Sequence, residues 1–82
     1  MGDSLNPAID IGQVEGGFIQ GMGWLTTEEL VWNAKGKLMT NGPASYKIPA
    51  VADMPLDLRV KLVENRKNPE DTVFHSKAVG EP

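Results

Sequence analysis

Glu81 stands between a flexible Gly80 and a rigid Pro82, two residues after the small apolar pair Ala78-Val79. A carboxylate in apolar surroundings has its pKa raised toward the range useful for a general base. The same pattern also describes a surface turn, so spacing alone leaves both readings open. A second group is Gln13 with Gln20, two long amides on the glycine-lined run Gly12-Gln13-Val14-Glu15-Gly16-Gly17-Phe18-Ile19-Gln20-Gly21. Such amides offer donors and acceptors suited to a heterocycle or a polar cofactor, or they simply face water. Glycines four apart invite a phosphate-loop reading, but no Gly-Lys-Ser/Thr follows and no strand leads into a spaced dinucleotide fingerprint.

Other reactive types are sparse. Cysteine is absent and His75 is the one histidine, so a conventional zinc site, a thiolate nucleophile and a disulfide framework are all excluded. No residue of the chain is expected to ligate a metal directly. Neither Ser45 nor Ser76 has the nucleophile-elbow context that would pair it with His75, and the histidine is expected to be structural. Glu15, Glu28 and Glu29 are expected as ordinary exposed charges, and Trp24 and Trp32 as packing anchors.

The elements that must position these residues follow from pattern. Asn6-Pro7 reads as an N-cap followed by proline at the first helical position. Ile11, Val14, Phe18, Met22 and Leu25 recur at steps of three and four, which predicts a helix over about 6–27. Gln13, Gly16, Gly17, Gln20, Gly21 and Trp24 line its other side. Interior glycines cost roughly 1 kcal/mol each relative to alanine, so something is expected to press closely on that side. Residues 28–40 read as a hairpin turning at Asn33-Ala34-Lys35-Gly36, and 41–55, punctuated by three prolines, as an extended loop. Leu56, Leu58, Val60 and Leu62 alternate with Asp57, Arg59 and Lys61, which predicts a strand over 56–64. A short last strand over 72–75 would lead into the Gly-Glu-Pro motif.

The expected fold class is therefore α+β: one Gly-rich N-terminal helix packed on a small antiparallel sheet. At 82 residues, with 40% hydrophobic and 23% charged, the chain has the composition of a single small globular domain. Eight basic against eleven acidic residues give a net charge of −3, which argues against nucleic acid and against an anionic membrane surface. No apolar run has transmembrane length, and a cytoplasmic location is expected. Both ends look cut rather than finished.

Five motifs agree, in order, with one family. Asn6-Pro7-Ala8-Ile9-Asp10, Gly12 to Gly21, Thr26-Thr27-Glu28-Glu29-Leu30, Tyr46-Lys47-Ile48-Pro49 and Ser76-Lys77-Ala78-Val79-Gly80-Glu81-Pro82 resemble the C-terminal part of the molybdenum-binding subunit or domain of xanthine dehydrogenases. The resemblance covers nearly the whole chain and implies a molybdenum-molybdopterin cofactor in an intact, purine-oxidising parent, with the metal and pterin performing the redox step. It implies Glu81 as the general base, Gln13 as a hydrogen-bonding partner of the cofactor, and Gly80 as the point of close backbone approach. Gly16, Gly17 and Gly21 would then be small for packing around the cofactor.

The family's substrate-clamping side chains and most of its cofactor contacts are absent. The resemblance therefore implies a fragment that is inactive alone, binds no cofactor by itself, and has the remainder of the parent subunit as its partner. Two alternatives stand beside it. One is a non-catalytic interaction module, derived from such an enzyme, that self-associates as a homo-oligomer through its exposed surface. The other is part of an aldehyde oxidase-type relative.

Overall fold

The computed structural model describes residues 1–66 and 68–80. Glu81, the expected base, lies outside the described residues. One long helix, α1, spans Pro7–Thr26, followed by single 3-10 turns at Val51–Asp53 and Val73–His75. The chain divides into two units, Met1–Phe18 with Asp57–Pro82, and Ile19–Leu56.

Local chemistry accounts for the ends of α1. Pro7 occupies its first position, where the missing N–H costs nothing, and the Asn6 carbonyl accepts from Asp10 N–H at 3.0 Å. Ser4 Oγ donates to the Asp10 carboxylate, an acidic group in the first turn where the helix dipole favours it. At the far end the Gly23 carbonyl accepts from both Thr27 and Glu28 N–H at 3.0 Å, which closes the last turn.

In the first unit, Gly2 and Asp3 meet the turn at Val73–His75: Asp3 N–H donates to the Phe74 carbonyl at 2.8 Å. Residues 72–75 are not a strand. Phe74 and His75 both have φ of 53°, in the left-handed region, and the turn closes through His75 N–H on the Thr72 carbonyl at 2.9 Å. In the same unit Leu58, Val60 and Leu62 are half-buried while Asp57, Arg59, Lys61 and Val63 are exposed. The alternation thus survives as burial, yet the segment pairs with nothing in a ladder.

The second unit holds the turn at Asn33-Ala34-Lys35-Gly36. Asn33 Oδ1 accepts from Lys35 N–H at 2.9 Å and Lys37 N–H at 3.0 Å, and Gly36 supplies the required φ of 78°. A single bridge, Trp32 with Leu38, is all the β pairing that follows.

These findings overturn the expected α+β class. Among the described residues there is no strand and no sheet, and the chain is helix-dominated. Period-two alternation reports which face of a segment is covered. It does not supply the neighbour whose N–H and C=O groups would complete a ladder.

No hydrophobic side chain is buried among the described residues, where only Gly23 and Asn68 are. Trp24 and Trp32, expected as packing anchors, are 49% and 55% exposed, and Leu25 at the end of the helical stripe is 88% exposed. An aromatic ring anchors a core only where other elements surround it, and here none does.

Candidate functional site

Gln13 and Gly17 lie four residues apart on α1 and therefore share a face. Against that face, within the first unit, comes Gly80. A Cβ added to Gly17 would stand 2.5 Å from the Gly80 carbonyl oxygen and 3.0 Å from its carbon. A Cβ added to Gly80 would in turn stand 2.8 Å from Gln13 Oε1. Gly80 has φ of 118°, a conformation L side chains rarely adopt. Two of the expected site residues, Gln13 and Gly80, are thus neighbours, and Glu81 is the next residue in sequence.

Gly16 and Gly21, grouped with Gly17 as small for close packing, meet nothing within 4 Å of an added Cβ. Of the glycines of α1, Gly17 and Gly23 are the ones that another segment approaches closely. His75 is exposed on its turn, and no group of three or more metal-ligating side chains occurs among the described residues.

A further cluster, in the second unit, escaped the sequence reading. Glu28, expected as an exposed charge, is half-buried, and its Oε2 is enclosed without a hydrogen-bond partner. A Cβ on Gly23 would overlap that oxygen and the Pro49 ring, whose Cδ would lie 2.5 Å away. Thr27 Oγ1 donates to the Lys47 carbonyl at 2.8 Å, tying the helix exit to the Tyr46-Lys47-Ile48-Pro49 segment. The signal available in sequence was an acidic residue directly after the helix stop, with a lone tyrosine and a proline downstream.

The Tyr46 hydroxyl faces this carboxylate. Hydrogen bonding to Glu28, then burial, then the carboxylate's negative charge raise the phenol pKa above its ordinary 10.0. The folded chain therefore holds the phenolic proton more tightly than the unfolded chain does. The contribution to stability is complete below pH 10 and is lost as pH rises through the raised value. Tyr46 is the one tyrosine of the chain, so phenolate absorbance reports it alone. We expect a titration midpoint above 10.0 that returns toward 10.0 in Glu28→Ala; identical midpoints would show that the carboxylate does not act on Tyr46.

The molybdopterin cofactor-binding domain model matches residues 1–55. This chain belongs to the molybdopterin cofactor-binding domain family. Its similarity extends over its whole length to xanthine dehydrogenases, at 56% identity with that of Oryza sativa subsp. japonica and 54% with that of Dictyostelium discoideum. The xanthine dehydrogenase/oxidase of Rattus norvegicus is also 54% identical over the whole chain. The chain spans about 6% of the length of each of these relatives.

The residues at hand fit part of a site for the cofactor that this family binds. Gln13 is exposed, with its Oε1 beside a backbone that has no Cβ to obstruct it. The amide donors and acceptors of Gln13 thus lie next to a bare glycine backbone, and a side chain at position 80 would crowd them. No helix among the described residues is long and apolar enough to cross a membrane.

Proposed function

We propose that the chain is part of the cofactor-binding region of a purine-oxidising molybdenum hydroxylase, a cytoplasmic enzyme that hydroxylates xanthine or hypoxanthine. The observation that supports this most directly is the juxtaposition of Gln13, Gly17 and Gly80 immediately before Glu81. Gln13 orients the cofactor through its side-chain amide, with Nε2–H donating and Oε1 accepting. Gly80 lets the backbone come close where a side chain would obstruct. Glu81 takes the proton at its carboxylate as general base. The molybdenum cofactor, when bound, supplies the two-electron oxidation chemistry.

The partner in this reading is the remainder of the parent subunit, which covers the apolar side chains left exposed here and completes the purine pocket. The fragment by itself encloses no cofactor and turns over no purine. The net charge of −3 agrees with a chain that contacts neither nucleic acid nor an anionic membrane.

The test is made on the full-length polypeptide that contains these residues. Stoichiometric molybdenum and faster oxidation of xanthine than of aldehydes are expected. A full-length protein without molybdenum would overturn the reading, and one that prefers aldehydes would transfer it to the aldehyde-oxidising branch.

One observation favours a second reading, a self-associating module. Among the described residues sixteen large hydrophobic ones are exposed, from Leu5 to Phe74. A bared apolar surface drives association whether it evolved for a copy of itself or for the rest of an enzyme. A native product no longer than this chain, oligomeric and free of molybdenum, would favour the module.

A further inference from the structure

We propose that residues 46–49 form a strap closed over the last turn of α1, and that the Glu28 carboxylate is the clasp that keeps it closed. All the residues involved belong to the second unit, Ile19–Leu56. None of them is assigned to the cofactor, so the device stands or falls apart from the molybdenum reading.

The strap meets the helix exit at three places. At its near end the Tyr46 hydroxyl faces the Glu28 carboxylate. In the middle the Lys47 carbonyl accepts from Thr27 Oγ1 at 2.8 Å. At its far end the Pro49 ring lies against Gly23, where an added Cβ would stand 2.5 Å from Cδ and 2.7 Å from Cγ. Glu28 is common to both ends, because its Oε2 also lies over Gly23 and is enclosed there. Its N–H donates to the Gly23 carbonyl at 3.0 Å, so its backbone and side chain both fold back onto one residue. The approach of the strap is fixed as well: Tyr46 N–H donates to the Gly42 carbonyl at 2.8 Å.

The bare Gly23 backbone admits this closure. A proline ring is tied to its own backbone and cannot turn aside, so a methyl group at position 23 lifts the strap. The three contacts lie side by side and open as one unit. Opening returns Glu28 Oε2 to water, which offsets part of what the lost contacts supplied. No hydrophobic side chain is buried among the described residues to hold the strap shut, which leaves that task to the clasp.

The experiment uses the full-length protein that contains these residues and reads hydrogen–deuterium exchange at the Thr27, Glu28 and Tyr46 amides. The first two donate to Gly23 and the third to Gly42, so they report the helix exit and the strap separately. Glu28→Ala and Tyr46→Phe should each speed exchange at both places by about tenfold. The double variant should exchange no faster than Glu28→Ala alone, since both substitutions remove the same contact. Gly23→Ala should speed exchange too, although alanine favours a helix over glycine. Glu29→Ala removes the exposed carboxylate next in sequence and should leave exchange as in the parent.

Parent-like exchange in Glu28→Ala and Tyr46→Phe would overturn the clasp, as would a change confined to one of the two places. A double variant whose effect is the product of the single ones would show that Glu28 and Tyr46 act separately, which also overturns it. So would Glu29→Ala matching Glu28→Ala, or Gly23→Ala exchanging as the parent does. Tyr46→Phe loses one oxygen and keeps the ring, so it carries the test if Glu28→Ala fails to fold.

Discussion

Replacing Glu81 by glutamine in the intact enzyme is expected to lower kcat by roughly two to four orders of magnitude, the usual worth of a positioned general base. Molybdenum content should stay at the parent level. The substitution keeps the size of the side chain and removes its basicity, so the proton it would take has no acceptor. Metal loading should survive because the cofactor contact assigned in this reading is the Gln13 amide, which lies against the bare backbone at Gly80. Loss of molybdenum together with turnover would show that Glu81 holds the cofactor rather than moving a proton. The acidic limb of the kcat/KM profile should also vanish in Glu81→Gln, because that limb reports the base of the free enzyme.

The second large effect concerns the 82-residue chain on its own. We expect helical circular dichroism with a broad, non-sigmoidal thermal loss, binding of a hydrophobic dye, and association that grows with concentration. The reason is quantitative. Ordering a residue costs about 1–2 kcal/mol of backbone entropy, and the main return is burial, about 1.5–3 kcal/mol for each large apolar side chain fully removed from water. Here no hydrophobic side chain is buried among the described residues, and sixteen large ones are exposed. The five glycines of α1 weaken the helix further, by roughly 1 kcal/mol each. Surface ion pairs such as Arg59 with Asp57, at 2.8 Å and largely exposed, contribute little. A sharp, concentration-independent melt of a monomer would refute this expectation and show that these residues fold without a partner.

Much of the local structure was legible because its causes are local. Asn6-Pro7 marks a helix start through the missing N–H of proline, and α1 begins at Pro7. Asn33 and Gly36 define a turn through an amide that caps two N–H groups and a residue free to take positive φ. Strand pairing was not legible in the same way. The residues from Leu58 to Leu62 alternate in burial as the pattern implies, yet no ladder forms, because pairing needs a second chain segment that alternation does not name. Thr72 to His75 read as a strand from residue types, and two left-handed φ values make it a turn instead.

Of the candidate site, the sequence by itself determined the chemistry: one amide-and-glycine face on a helix, one carboxylate between Gly80 and Pro82, and no thiol or imidazole cluster to compete with them. Residue types and short spacings carry that information because donors, acceptors and helix register are local properties. Only the tertiary structure decided that Gly17, rather than Gly16 or Gly21, receives the Gly80 backbone, and that Glu28 is enclosed beside Gly23 and Pro49. Gly16, Gly17 and Gly21 look alike in sequence. What separates them is which one another part of the chain approaches, and a contact between residues distant in sequence is set by the path of the whole backbone.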